Sequence, residues 1–578
     1  MLHRFFTGLH RRCSLFVHDL HSLFITRKFS VISGCVLIAI VILAGCGKPA
    51  APSSESDSKA ADASTNTLQA ASEPLLKFHW IGKKQLATEA NATNFMAIWN
   101  LPESARLEAQ TLDKLATAPW RLWQTNVALS NAPSHLLRPL LDDLVQEEIY
   151  LEATGGSNQI SELVIALRLP DDRATLWESN LPVVLNSLSN LNLALSPSAQ
   201  SSAAHNWQLS LTRTGGWTFV SFARPATDSP LVGAFASRVA ADGAPYAPRA
   251  TNYWVELDAI TQVFLSRTES EKLDILRTNP PQIELRILGE SGNVRTRADL
   301  QFPSNIPLEM EPWNVPTNLV HDPISGFMAV RGFRPWLKAF GWNEAKFGDT
   351  PNQIYFWAQA GGAPLHFFAF PSTKPTDQIK RLSEFLLTEI NPLMATSATV
   401  QNTPVGAFEK ESDSFDLRWR GLPLLTPNLR LSREDGFITG GLFGNRITNR
   451  PAPTELLQQF KGDSNLIWYD WEISQFSTRR LIQATQVVRF IFGRSRLSMA
   501  DDPGLPWLVA IAPKLGTAGT SIRQITPERL NVLRSSTVGL TAAELHFLVE
   551  WLESPDFPVG IFTLNSPPGP SASSKVKP

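Results

Sequence analysis

Apolar positions between residues 77 and 565 come in short runs, split by glycine turns and by single helical stretches. Phe95-Met96-Ala97-Ile98 is one such run, and Pro102-Glu103-Ser104 then opens a helix whose Leu107, Leu112 and Leu115 share a face. Ile149 to Ala153 and Leu163 to Leu169 flank a Gly-Gly-Ser-Asn turn and predict a hairpin. Pro170-Asp171-Asp172 ends it and caps a helix near 172–192. A second hairpin is expected from Trp207 to Leu211 and Trp217 to Phe222, around Gly215-Gly216. Tyr253 to Leu257 predicts a strand before a helix reaching about Leu276, and Ile283 to Leu288 and Val294 to Leu300 pair across Ser291-Gly292-Asn293.

The pattern then repeats. Phe95-Met96-Ala97-Ile98 returns as Phe327-Met328-Ala329-Val330, and Ile149-Tyr150-x-x-Ala153 as Ile354-Tyr355-x-x-Ala358. Leu211-Thr212-Arg213-x-x-Gly216-Trp217 returns as Leu431-Ser432-Arg433-x-x-Gly436-Phe437, and Trp254-x-Glu256-x-Asp258 as Trp468-x-Asp470-x-Glu472. The four blocks keep their order. Later elements follow at 364–370, 376–392, 415–420, 428–443, 475–492, 507–512 (read as the counterpart of Ile283 to Leu288) and 520–524, with a closing helix Thr541 to Leu552. Hairpins broken by single helices predict an α+β fold: two diverged tandem halves of antiparallel sheet with helices packed on one face. The halves are expected at 77–302 and 303–565, joined at the Pro-rich Phe302-Pro303-Ser304-Asn305-Ile306-Pro307.

The first 30 residues carry Arg4, Arg11, Arg12, Arg27 and Lys28 against one acid, Asp19. Val31 to Gly45 is then uncharged, shorter than the ~20 residues of a spanning helix and of export-signal length. It ends in Leu43-Ala44-Gly45-Cys46, which resembles the lipobox of bacterial lipoproteins at all four positions. The resemblance implies a signal peptide at 1–45, cleavage before Cys46, and acyl chains on the Cys46 sulfur and new amino group. Several acyl chains at ~0.8 kcal/mol per buried methylene make a durable membrane anchor. Gly47 in place of Asp points within that family to the outer rather than the inner membrane. Residues 46–76 read as the lipidated cysteine plus a disordered Ala/Ser/Pro tether, and 566–578 as a disordered tail. The body otherwise is similar to uncharacterised exported bacterial proteins, which implies no activity.

Composition narrows the classes further. Apolar residues are 43% and charged residues 18%, which excludes a mostly disordered chain. Lys+Arg at 52 balances Asp+Glu at 53, so no charge field points to nucleic acid. All three cysteines lie within the first 46 residues, leaving no disulfide or cysteine metal site in the folded part. The sequence holds no G-x-S-x-G, H-E-x-x-H, G-x-x-x-x-G-K or G-x-G-x-x-G, and its later histidines are too far apart for a local metal motif. No cofactor is expected. The adjacent acids Asp142-Asp143 and Glu147-Glu148 read as solvated helix ends.

The repeated Trp-x-acid-x-acid pattern is the sharpest candidate site. On strands, Trp254, Glu256 and Asp258 would line one face, as would Trp468, Asp470 and Glu472. An indole beside two carboxylates can stack a sugar and accept its hydroxyls; two close carboxylates can also divide acid and base roles. The plainer reading is that Asp258 and Glu472 cap helices where strands end and that the tryptophans pack beneath. Three functions stay open: a non-catalytic structural or interaction lipoprotein of the cell envelope, a glycan- or peptidoglycan-binding lipoprotein, and a carboxylate-dependent hydrolase. The expected partners are the membrane, through the lipid, and an envelope protein or glycan in the periplasm.

Overall fold

In this computed structural model the described residues are 74–554, apart from 124–131, 157–158, 189–207, 224–234, 238–252, 262–278, 361–364, 393–405, 412–415, 422–425, 433–435, 442–449, 461 and 492–502, together with 557–558. The expected signal, Cys46, nearly all of the tether, the helix expected to reach Leu276 and the C-terminal tail lie outside the described residues.

The strands are β1 Leu76–Trp80, β2 Ile149–Gly156, β3 Gln159–Leu167, β4 Gln208–Thr214, β5 Trp217–Ala223, β6 Tyr253–Ile260, β7 Gln282–Glu290, β8 Asn293–Gln301, β9 Ile324–Arg331, β10 Gln353–Gln359, β11 Leu365–Pro371, β12 Ala407–Lys410, β13 Leu417–Arg420, β14 Asn428–Ser432, β15 Phe437–Gly441, β16 Leu466–Ile473, β17 Thr517–Thr526 and β18 Arg529–Ser536. The helices that position them are α1 Thr93–Trp99, α2 Pro102–Trp123, α3 Ser134–Gln146, α4 Asp171–Ser187, α5 Arg334–Ala339, α6 Pro375–Phe385, α7 Thr454–Gln458, α8 Ser474–Ile491, α9 Gly504–Ile511 and α10 Ala542–Glu553. Mixed helix and antiparallel sheet is therefore the architecture. Among the described residues no helix is long and apolar enough to cross a membrane.

The described residues divide into two compact units. The larger holds Asn91–Leu107 and Gly289–Glu553; the smaller holds the described parts of Val31–Ala90, Glu108–Leu288 and Ser554–Pro578. The strand β8, on the near side of the expected join at 302, belongs to the larger unit, where it pairs with β18.

In the smaller unit the strands run β7-β6-β1-β2-β3-β5-β4, every pair antiparallel. Tight turns make this possible: Gly215 and Gly216 take φ of 60° and 82° between β4 and β5, a region closed to most side chains. Tyr150, Val164, Ala166, Trp217, Phe219 and Phe235 form a core on one side of these strands. Helices α3 and α4 are tied by Asp143, only 5% exposed, which accepts hydrogen bonds from Arg173 Nε and Trp177 Nε1, each at 2.9 Å. Asp143 is thus an interior clamp, not a solvated helix end.

In the larger unit the order is β8-β18-β17-β16-β9-β10-β11-β15-β14-β13-β12, again antiparallel. Val330, Ile354, Phe370 and Ile438 pack on one face with Ile379 of α6; Phe327, Ala329, Tyr355 and Trp357 pack on the other with Leu456 of α7 and Phe460. Helical segments thus meet both faces, because α7 and the residues after it fill the side that α6 leaves open. Arg331, 3% exposed, ends β9 and is held by carbonyls: its Nε donates to Leu466 at 2.7 Å, Nη1 to Glu311 at 2.8 Å and Nη2 to Ser464 at 2.6 Å. A further core joins Ile98, Ile482, Leu508, Ile511, Leu545 and Val549 from α1, α8, α9 and α10.

Two segments expected to take part in the repeat are helices, unlike the strands they were matched to. Phe95-Met96-Ala97-Ile98 lies in α1, where Phe95 and Trp99, four apart, meet edge to face at 5.3 Å. Four residues are too few to carry a period, so their likeness to β9 is not a structural one. Residues 507–511 lie in α9, with Ala512 just past its end, rather than in a strand. A uniformly apolar run reads as either, and here Glu553 settles the matter by accepting the Gly504 N–H at 2.6 Å at the helix start.

Asp143→Ala should lower stability in urea unfolding by about 2–3 kcal/mol, because it strands the Arg173 and Trp177 donors. A loss below about 0.5 kcal/mol would be at odds with an interior clamp.

Candidate functional site

The smaller unit places a histidine on an interior strand of its order. His79 lies on β1, facing Tyr150 on β2 and Glu256 on β6. Its ring stacks on Tyr150 at 4.1 Å with an interplanar angle of 2°. Nε2 sits 3.1 Å from Glu148 Oε1, and Nδ1 lies 3.6 Å from Glu256 Oε2. The Tyr150 hydroxyl donates to the same Glu148 oxygen at 3.0 Å. Glu256 faces Arg286 on β7 directly, with Arg286 Nε 3.5 Å from it, and Arg286 Nη1 bonds Asp258 at 2.6 Å. One line of charge thus runs Glu148–His79–Glu256–Arg286–Asp258 across neighbouring strands. Burial opposes the protonation of His79, but Glu148 and Glu256 outweigh it, and its pKa lies above the usual histidine value. Burial, with the charge of Glu148, pushes the Tyr150 hydroxyl up, so it stays a donor.

The larger unit holds the second acid pair differently. Glu472 Oε1 accepts the Ala542 N–H at 2.7 Å and the Ser474 hydroxyl at 3.0 Å, capping α10 as well as bonding the first residue of α8. Arg534 on β18 grips Glu544 of α10 through both terminal nitrogens, at 2.8 and 2.9 Å. Asp470 shares the sheet face of Glu472. Part of its surface remains accessible, yet protein atoms crowd the carboxyl. Burial first and the charge of Glu472 second push Asp470 up to about 8, with Arg534 opposing. Burial also raises Glu472, against the hydrogen bonds it accepts.

The two Trp-x-acid-x-acid motifs are not equivalent in space. Across β2–β1–β6 the partners are Tyr150, His79 and Glu256; across β10–β9–β16 they are Tyr355, Ala329 and Tyr469. Tyr355 mirrors Tyr150 in detail, its hydroxyl donating to the residue two earlier, Gln353 Oε1, at 2.7 Å. Counted from these tyrosines, the counterpart of Glu256 is Tyr469. Asp470 therefore projects to the opposite face, since a slip of one residue turns every side chain over. The tryptophans are not platforms either. Trp254 is 3% exposed, beside a register shift in β6, and Trp468 packs against the Val330 core. No tryptophan among the residues with described burial is exposed.

Glu472 caps α10 and not α8, the helix that follows its own strand, which it meets only through the Ser474 hydroxyl, and Asp258 pairs with Arg286 instead of capping a helix. His79, Glu148 and Arg286 escaped the sequence pattern because Glu148 lies 69 residues from His79, and the only local signal was the doubled Glu147-Glu148. Chemically, the His79 network turns both ring nitrogens toward carboxylates of its own chain, leaving neither aimed at a substrate. It works as an electrostatic brace across four strands. No group of three or more His, Cys, Asp or Glu among the described residues is placed to hold a metal ion.

Two outcomes follow from this geometry. A histidine with a raised folded pKa adds stability that is complete below its unfolded value of about 6.5 and is lost as pH rises through the folded value. The apparent stability of the smaller unit should fall as pH rises from about 6.5 through the raised folded value, and His79→Gln should flatten that slope. An unchanged slope in the variant would remove His79 as the cause. Tyr150→Phe and Tyr355→Phe should each cost about 1 kcal/mol in chemical denaturation, one hydroxyl bond apiece, and a difference of more than about 1 kcal/mol between them would break their equivalence. Set against protein-family models, curated proteins and solved structures, the chain matches none.

Proposed function

We propose that the chain is a lipid-anchored protein of the bacterial cell envelope whose folded body has a non-catalytic structural or interaction role. The observation that carries this reading is Leu43-Ala44-Gly45-Cys46 after an uncharged run of export-signal length and before an Ala/Ser/Pro tether. Cys46 carries the lipid, the tether holds the body off the membrane, and Gly47 favours the outer membrane facing the periplasm. Support from the body is of a different kind. Its ionisable clusters serve their own fold, bracing strands in one unit and capping a helix in the other. The body partners another envelope component, protein or glycan.

We also infer that the body arose by tandem duplication. The order β7-β6-β1-β2-β3-β5-β4 becomes β17-β16-β9-β10-β11-β15-β14 when strands are matched in sequence, with β12 and β13 added. The matched tyrosines of β2 and β10 hold the same place in both orders. The shared Phe-Met-Ala block is not part of this correspondence, since β9 answers to β1.

The anchor is tested by feeding an alkyne-tagged fatty acid to a bacterium expressing the full chain. Wild type should take up the label and fractionate with the outer membrane, while Cys46→Ala should be unlabelled and released from membranes. Equal labelling of both proteins would refute the assignment.

A further inference from the structure

We propose that the N-terminal end of α10 is a proton-controlled latch, closed while Asp470 and Glu472 beneath it keep one proton between them and loosened as that proton leaves. This goes beyond the anchoring and brace roles and does not depend on them.

The latch is built from four elements. Strand β16 supplies Asp470 and Glu472, strand β17 Thr520, strand β18 Arg534, and α10 the Ala542 N–H and Glu544. Cross-strand pairing sets the alignment, because Asp470 faces Thr520 and Thr520 faces Arg534. Thr541 and Glu544 close a capping box, the Thr541 N–H donating to Glu544 at 2.9 Å and the Glu544 N–H to Thr541 Oγ1 at 3.3 Å. Below this polar end the helix is apolar: Leu545 and Val549 are buried against Ile98, Ile482, Leu508 and Ile511.

The charges do not balance. Three carboxyls, Asp470, Glu472 and Glu544, meet one guanidinium, and Arg534 is committed to Glu544 in a two-point bond. The other described neighbours bring no further cation to the pair, only the Ala542 N–H and the Ser474 and Ser477 hydroxyls on Glu472. Strand β9 presents Met328 and Gly326 opposite the two acids, α8 presents Ser474 and buried Thr478, its Arg480 turns to the Gln359 carbonyl, and Arg479 is exposed. On α10 itself His546 pairs with Glu550. The helix N-terminus favours an ionised Glu472, whose oxygen it binds, and not a second charge on Asp470 beside it. Ionising Asp470 releases its proton to water and adds a negative charge next to Glu472 and Glu544. The raised Asp470 fits this picture.

The sign follows. An acid with a raised folded pKa withdraws stability as pH climbs from its unfolded value near 4 toward its folded value of about 8. The latch therefore tightens in acid and loosens toward alkaline pH.

Hydrogen exchange read by mass spectrometry on the full chain, at pH 5.5 and 8.5 and corrected for the intrinsic rate, tests it. Protection of a peptide covering α10 should drop about tenfold or more at pH 8.5, while a peptide covering β10 keeps its protection. Asp470→Asn, nearly the same shape without the charge, should hold α10 at its acid-side protection at both pH values. Glu472→Gln should recover part of the effect. Unchanged α10 protection, equal loss in α10 and β10, or the same loss in Asp470→Asn would each overturn the latch.

Discussion

A charge placed on a strand inside a fold must find its partners across the sheet, and that requirement organises much of this molecule. Leaving one member of a buried pair without the other costs about 3–5 kcal/mol, more than most single contacts supply. His79 meets the requirement with a carboxylate on each side and a stacked tyrosine. Arg331 meets it without any carboxylate, through backbone carbonyls of residues beside its strand. Asp143 meets it through an arginine and an indole of the adjoining helix. Asp470 alone among these is buried next to like charge, and burial first, with the Glu472 charge second, moves its pKa up.

The same requirement explains why the two units differ while their strand orders agree. A tyrosine hydroxyl needs an acceptor, and both units provide one two residues upstream, Glu148 just before β2 in one and Gln353 at the start of β10 in the other. Glu148 is charged, so it can also hold His79. Gln353 is neutral, receives the Asn314 N–H and donates to the Pro312 carbonyl, and Ala329 stands where His79 would be. A single exchange of glutamate for glutamine thus accompanies the change from an ionic brace to an apolar face.

Much of the fold was legible because it rests on local signals. Alternation and glycine turns placed β2 through β6, and Pro170 with the two aspartates of the first turn marked the start of α4, though no side chain caps it. The misreadings share one cause. Phe95 to Ile98 and Trp507 to Ala512 are short apolar stretches, and such stretches take their conformation from distant partners such as Glu553. The candidate site was legible only in part. Glu256 and Asp258 do meet, on a shared arginine, but the likeness of their motif to Trp468-Asp470-Glu472 hid a shift of one residue that no single-strand pattern can reveal. His79 gave no signal at all, since its partners come from segments far along the chain.

The position of β1 has a mechanical side. Five residues, Leu76 to Trp80, sit third in the order, laddered to β2 on one edge and β6 on the other. Whatever precedes Leu76 is therefore fastened to an interior strand. A pull from upstream runs along β1 and loads both ladders in shear, so their hydrogen bonds must fail together rather than peel one at a time. It also means that during synthesis this strand can zip to β2 on one edge but waits for β6, some way behind, before its other edge is paired.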